Sequence, residues 1–465
     1  MKSSLLIMLL VSNIAVANNT ITETINGYTR VFDVGYNDVD VPVTKTLPRF
    51  YSGKEALAKI DIEKIAKDTH VSSSVLEEHI MTDGTLKVDK DGMPFYVEPV
   101  FKGLETAATS KTTVKAAALP NYNAANVFKL HTNPNSKKKL FLQFKGDVIT
   151  NTAWNEGTIT AAAYSSDKQK IFEVWTRVAE DYAPFDIDVT TEPVSVDDIN
   201  RTSEADDRYG VRVVITTTDI GWVAGGIAYV GLLDYYEQPG KFNTAWVLPN
   251  YLNHNARNIA EAVSHEVGHT LGLWHSGTIE HDGFKAVGYY DGGAYGDSKT
   301  SWVPIMGVPY YKNVTQFTKG DYKYADKQID QFAVIKGEGV DYVKDLAGDT
   351  LIDAASLSYK GNVNGIIGVN DVDYYSISVT RCAVNIKVDT ANVGGNLDAK
   401  VTLLASDGSK ITSDNVKDEL NAMIKIKVPN GNYFVKVEGV GRTGLNGDEG
   451  YSSYGSVGRY TISYQ

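Results

Sequence analysis

His265-Glu266-Val267-Gly268-His269-Thr270-Leu271-Gly272-Leu273-Trp274-His275 is the stretch on which the reading turns. On a helix, His265 and His269 lie four residues apart and leave the same face, so both imidazoles can reach one ion. Glu266 comes directly after His265, which sets its carboxylate beside that ion without ligating it. There it can take a proton from an activated water. Gly272 accepts the positive φ that ends a helix and turns the chain, returning His275 as a third ligand. Three nitrogens leave a fourth position open, which marks a catalytic rather than a structural zinc site. Cys382 is the single cysteine of the chain, so an internal disulfide and a thiolate cluster are both excluded, and a tightly held metal must use histidine and carboxylate.

Outward from this motif, the helical period runs from about Asn255 to Leu271. Upstream, the pattern predicts a strand over Leu140 to Phe144. A helix follows from Ser166 to about Ala183, where Ile171, Val174, Trp175, Val178 and Tyr182 recur at spacings of three and four before Pro184. Strands are expected over Ile187 to Thr191, Val211 to Thr217, Ile227 to Leu233 and Ala245 to Leu248, with a closing helix over Asp326 to Ile335. After residue 345, β-branched and aromatic runs alternate with Gly, Asn and Asp turns. Val372 to Val379, Val384 to Val388, Val401 to Leu404, Met423 to Val428, Tyr433 to Val437 and Tyr460 to Tyr464 suit an antiparallel β-sandwich of about 115 residues.

Toward the N-terminus, residues 18–103 predict a small mixed unit. It has helices over Lys54 to Asp68 and Ser72 to Met81, then strands over Thr85 to Val88 and Pro94 to Val100 joined at Asp91-Gly92. Residues 104–125, rich in Ala, Thr, Ser and Lys and carrying Lys111 and Lys115, have the composition of a linker open to processing. Residues 1–17 have a signal peptide's form: Lys2, an apolar run from Leu5 to Val11, and Ala15-Val16-Ala17 as the cleavage site. That run is well short of the ~20 residues that span a bilayer. A secreted product, free or held at the cell surface, is expected.

The 465 residues, with 43% hydrophobic and 22% charged, are too many for one core and imply two or three domains. Lys plus Arg number 45 against 57 Asp plus Glu, a formal charge of -12 that argues against nucleic acid as a partner.

At His265 to His275 the chain resembles the metzincin metallopeptidases, whose zinc motif H-E-x-x-H-x-x-G-x-x-H is followed by a Met-containing turn. Pro304-Ile305-Met306-Gly307 matches that turn, and the resemblance makes Met306 the apolar floor under the metal. Ala179 to Asp186, Val189-Thr190-Thr191, Tyr310-Tyr311 and Gln316 resemble a group of secreted bacterial metzincins. Asp371-Val372-Asp373-Tyr374-Tyr375-Ser376 and Gly458 to Ile462 are similar to the bacterial pre-peptidase C-terminal domain common in that group.

The resemblance implies a multidomain α+β chain. A small α+β prodomain precedes a metzincin-like catalytic domain over 126–340, a mixed twisted sheet plus the active-site helix, and an all-β sandwich occupies 345–465. It implies one catalytic zinc on His265, His269 and His275, Glu266 as general base, and protein or peptide substrates cut as by an endopeptidase. Gly226, Ile227, Ala228 and Tyr229 are expected at the sheet edge that pairs with substrate; an internal strand is the alternative. Tyr310 and Tyr311 are candidates for the pocket wall, or plain packing aromatics. No cysteine precedes Cys382, so a thiol-based latency switch is excluded. Asp89 and Asp91 are candidates for an aspartate substitute, with a solvated turn the favoured reading of both. Cys382 itself reads as a core residue of the β-domain. His281 is a rival ligand or a loop residue. Asp371 with Asp373 is a candidate calcium pair. The competing class is a surface-binding or polymer-binding exoprotein with a vestigial peptidase fold, docking through its C-terminal domain.

Overall fold

The computed structural model describes residues 15–17, 20–25, 28–33, 50–68, 71–101, 119–154, 157–280, 286–292, 299–345, 347–416, 418–443 and 450–465. His281, Lys111 and Lys115 lie outside them, as does most of the stretch expected as a signal peptide.

One eight-stranded sheet organises residues 50–251. Its order is Asp188–Thr190, Lys138–Gln143, Tyr209–Ile215, Thr244–Val247, Gly226–Tyr229, Pro94–Val97, Leu86–Asp89 and Phe50–Tyr51. The first four strands are parallel, and Gly226–Tyr229 turns antiparallel to Thr244–Val247. Every residue of Lys138–Gln143 is buried, as suits a central parallel strand covered on both faces.

Two helices cover one face, Lys168–Asp181 and Ala256–Thr270. Asp167 and Asn255 cap them, each side chain accepting from two backbone N–H groups of the first turn. Their apolar stripes, including Trp175, Val178, Ile259 and Val263, meet Leu140, Val211 and Val213 in the main core. The other face carries a second core, in which Leu86, Val88 and Phe95 of the N-terminal unit pack with Val214, Ile227, Tyr229 and Trp246.

Element limits move where capping competes with the apolar period. The expected helix over Lys54 to Asp68 is two, Gly53–Leu57 and Ile62–Asp68, because the Asp61 carboxylate accepts from Lys64 N–H at 3.1 Å and starts the second. The closing helix is Gln331–Gly337, since Asp330 caps Ala333. Two short strand pairings lie outside the expected elements: the antiparallel pair Asp147–Thr150 with Thr158–Ala161, and the parallel pair Trp302–Pro304 with Val314–Gln316.

The C-terminal region is two facing sheets. One is ordered Ala355–Ser356, Val372–Val379, Gly431–Gly439, Ala399–Leu404, Lys410–Asp414. The other is ordered Asn362–Ile367, Gly458–Tyr464, Val384–Thr390, Ala422–Ile426. Inward residues such as Tyr375, Ile377, Ile386, Val401, Val435 and Tyr460 form their shared core. Cys382 is not part of it. It is exposed at φ +49 in the turn between Val379 and Val384, where its N–H donates to Asn430 Oδ1 at 2.9 Å.

This region is docked on the helix Lys168–Asp181. Arg459 N–H donates to Glu180 Oε1 at 2.9 Å and its Nη1 lies 3.3 Å from Glu180 Oε2, while the same Nη1 donates to Ala179 O. Asn396 Nδ2 donates to Asp181 Oδ1 at 2.7 Å, and Ser264 Oγ donates to Asp181 Oδ2 at 2.5 Å. A buried polar chain thus runs from the β-sandwich to the residue before His265. Among the described residues, no helix is long and apolar enough to cross a membrane.

Candidate active site and metal centre

The helix Ala256–Thr270 presents His265, Glu266 and His269 toward the sheet end at Gly226. Gly272, at φ +82, then reverses the chain and brings in His275. All three histidines are at most 3% exposed. Each is held by its outer nitrogen. His265 Nδ1 is 2.8 Å from Ile305 O, His269 Nδ1 is 2.8 Å from Leu273 O, and His275 Nδ1 is 3.0 Å from Asp83 Oδ2. Because those oxygens only accept, each Nδ1 carries the proton and each Nε2 turns a lone pair inward.

The inward nitrogens converge on a carboxylate not foreseen in the sequence, that of Glu98. Glu98 Oε1 is 3.0 Å from His275 Nε2 and 3.3 Å from His269 Nε2, and Oε2 is 3.6 Å from His265 Nε2. One ligand atom from each of these four residues lies within 4.8 Å of the others. His265 Nε2 has no hydrogen-bond partner among the described residues. Buried lone pairs facing a carboxylate, with no proton assigned to satisfy them, call for a cation. Three imidazole nitrogens with one carboxylate oxygen are a donor set that zinc accepts, so the residues present fit the expected metal.

Electrostatics of the chain alone agree. Burial alone would raise Glu98, yet the charges of His275 and His265 hold it well below the usual carboxylate range. Burial pushes His269 down to about 3, whereas Glu98 and Asp83 overcome burial at His275 and push it up to about 9.

Glu266 is wholly buried, and neither of its carboxylate oxygens has a hydrogen-bond partner among the described residues. Burial, with Glu98 adding to it, raises its carboxyl well above the usual range. Its neighbour is Gly226: a Cβ built there would stand 2.1 Å from Glu266 Oε1, so this position admits only glycine in the present arrangement. Met306 lies fully buried beneath the helix, its Sδ 2.5 Å from where a Cβ on Gly268 would fall.

Other expected site residues divide. Tyr310 is buried beside the cleft, its ring 5.7 Å from Phe101, while Tyr311 is 45% exposed and turned outward. Gly226, Ile227, Ala228 and Tyr229 do form the last strand contributed by the zinc-site region, but their outer edge is taken. Ile227, Ala228 and Tyr229 pair antiparallel with Val97, Tyr96 and Phe95. Asp89 is at a distance from the histidines, in a buried turn where it accepts from Tyr229 OH at 3.0 Å and from the N–H groups of Asp91 and Met93. Asp91 pairs with Lys90 at the surface. Neither aspartate reaches the histidine cluster; Glu98 does.

Residues 179–276 match the family model for reprolysin-like metallopeptidases of family M12B, and residues 371–439 match that for the bacterial pre-peptidase C-terminal domain. The first match spans all three histidines and Glu266. Among solved structures, part of the chain is similar to the pre-peptidase C-terminal domain of a Bacillus anthracis collagenase. Identity there is 15%, coverage 24% of this chain and 92% of that one, and TM-score 0.18. PliG of Aeromonas hydrophila, a periplasmic inhibitor of g-type lysozyme, is 12% identical over 24% of this chain and 96% of that one, with TM-score 0.16. No curated protein matches the chain. The likeness to metallopeptidases that carry a pre-peptidase C-terminal domain therefore rests on those two family matches, and the metallopeptidase match implies zinc and protein substrates.

Proposed function

We propose that the chain is the precursor of a secreted, zinc-dependent endopeptidase of metzincin type that hydrolyses peptide bonds of extracellular proteins. The observation that carries this is the convergence of the inward Nε2 atoms of His265, His269 and His275 beside Glu266, whose buried carboxylate has no hydrogen-bond partner among the described residues. The three histidines hold zinc, which supplies a Lewis acid when bound. Glu266 takes the proton from the attacking water and passes it to the leaving nitrogen. Gly226, Ile227, Ala228 and Tyr229 seat an extended substrate by main-chain bonds once their edge is free, and Tyr310 walls the cleft beyond the metal.

In this reading residues 1–17 direct export, 18–103 form the propeptide, 104–125 carry the processing site, 126–340 are the catalytic domain and 345–465 the β-sandwich. The sandwich meets an extracellular polymer or surface and binds calcium. Asp345, Asp371 and Asp373 each offer an oxygen within 4.8 Å of the others, and buried Asp373 Oδ1 has no hydrogen-bond partner among the described residues. Glu266→Gln tests the enzyme reading. It should retain zinc and fold but lose casein cleavage by at least about 100-fold, measured by fragment mass spectrometry with and without chelator. Turnover within threefold of the parent protein would refute Glu266 as base.

A further inference from the structure

We infer that Glu98 is the built-in fourth ligand of the zinc site and that residues 94–98 act as an internal inhibitor which must leave before any substrate can enter. The inference rests on the zinc peptidase reading and deepens it. Three sets of contacts bear on one residue. Its side chain reaches the inward nitrogens of all three histidines, at 3.0, 3.3 and 3.6 Å. Its main chain is tied on both sides: Glu98 N–H donates to Gly226 O at 3.0 Å and Gly225 N–H donates to Glu98 O at 3.2 Å. The strand before it, Pro94–Val97, takes the outer hydrogen-bonding edge of Gly226–Tyr229. One short segment therefore fills both requirements of a substrate, the ligand position and the strand partner.

The segment is not loosely placed. Tyr96 stacks on His269 at 4.3 Å between ring centroids and meets His275 at 4.0 Å. Phe95 packs on Trp154 at 5.4 Å and Tyr229 at 5.5 Å. Asp83, from the same N-terminal unit, also holds the far nitrogen of His275. This unit shares its apolar core with the sheet, so the carboxylate is delivered by a folded body rather than by a tail. A carboxylate suits the role because it binds zinc as an anion and leaves intact, with no bond made or broken and no oxidant involved. The absence of cysteine before Cys382 is consistent with this choice of ligand.

The test uses the full-length chain with cobalt(II) in place of zinc, in a Glu266→Gln background that prevents self-cleavage. Azide is added while the visible spectrum is recorded. With Glu98 present the spectrum should not move; with Glu98→Ala it should shift, and a chelator should strip the metal at least ~10-fold more readily. In the Glu266 background, full-length Glu98→Ala should cleave casein at least ~10-fold faster than the parent chain. Glu98→Gln, which keeps the side chain's size, guards against misfolding and should behave in the same direction, with circular dichroism unchanged. Equal azide response with and without Glu98 overturns the inference. An azide response confined to the Glu98 variants with no cleavage by any form keeps Glu98 as the ligand and removes the peptidase reading instead. Equal cleavage and equal azide response in all forms keep the peptidase and discard the internal inhibitor.

Discussion

Replacing Arg459 by Leu should loosen the whole molecule, not the C-terminal sandwich alone. Arg459 is 7% exposed and Glu180 1%, and they meet across the junction between the sandwich and the helix Lys168–Asp181. Its guanidinium faces Glu180 Oε2 at 3.3 Å and also donates to Ala179 O, so the substitution strands a buried carboxylate and a buried carbonyl together. Breaking a buried pair by removing one partner costs about 3–5 kcal/mol. At an unfolding entropy of about 2.1 cal/mol/K per residue, a single cooperative unit of about 350–400 residues shifts by about 1.2–1.4 °C per kcal/mol, so the melting midpoint should fall by about 4–7 °C. Calorimetry on the Glu266→Gln chain would read this as the shift of one transition. The backbone N–H of residue 459 still bonds Glu180 Oε1 in the variant, so the loss isolates the guanidinium. Glu180→Leu and the double variant complete a cycle, in which the double loss should be smaller than the sum by at least about 1 kcal/mol. Strict additivity, or two separate transitions in the parent chain with only the sandwich's moving, would refute the claim that the sandwich is a structural part of the enzyme.

Two further outcomes follow from single groups. Gly226→Ala forces a Cβ to within 2.1 Å of Glu266 Oε1, so the carboxylate must shift by more than an ångström. Displacement of that size costs on the order of 100-fold in kcat with zinc retained, and a kcat within twofold of the parent, measured on a chromogenic peptide, would show that Glu266 is not held where the base is needed. In the sandwich, burial with Asp371 and Asp345 nearby pushes Asp373 up to about 8, against its bond from Tyr460. The folded chain then keeps a proton that an unfolded aspartate releases near pH 4, so that stabilisation is full below about pH 4 and is lost as pH rises toward 8. Calcium competes with the proton and should raise the melting midpoint more at pH 8 than at pH 5; equal shifts at both pH values would remove the acidic cluster as its site.

What the sequence made legible, and what it hid, follows from the distance between interacting residues. The histidine motif was readable because helix geometry converts a spacing of four into one face, and because Gly272 marks the reversal that returns His275. The alternation of the β-sandwich was readable for the same local reason, a period of two set by the pleat. Glu98 obeys no such rule. It follows a four-residue strand, and its partners lie 171 and 177 positions away at His269 and His275, joined to it only by the pairing of Pro94–Val97 with Gly226–Tyr229. The one available signal was indirect: a strand written as an edge must meet something, and Gly226 carries no side chain to bar a neighbour. Asp89 was a reasonable substitute on chemistry, but its carboxylate is consumed by its own turn and by Tyr229, which leaves it nothing to offer a metal. Cys382 misled in the opposite sense, since flanking valines predict a buried strand whereas a residue at φ +49 must sit in the turn between strands. Arg459 and Asn396 show why domain boundaries drawn from pattern do not make domains independent. Pattern changes at residue 345, but the polar chain from Asn396 through Asp181 to Ser264 crosses that boundary and ends one residue before His265. A perturbation of the sandwich should therefore reach the histidine cluster through the helix Ala256–Thr270, by way of a buried network in which each polar group depends on its partner.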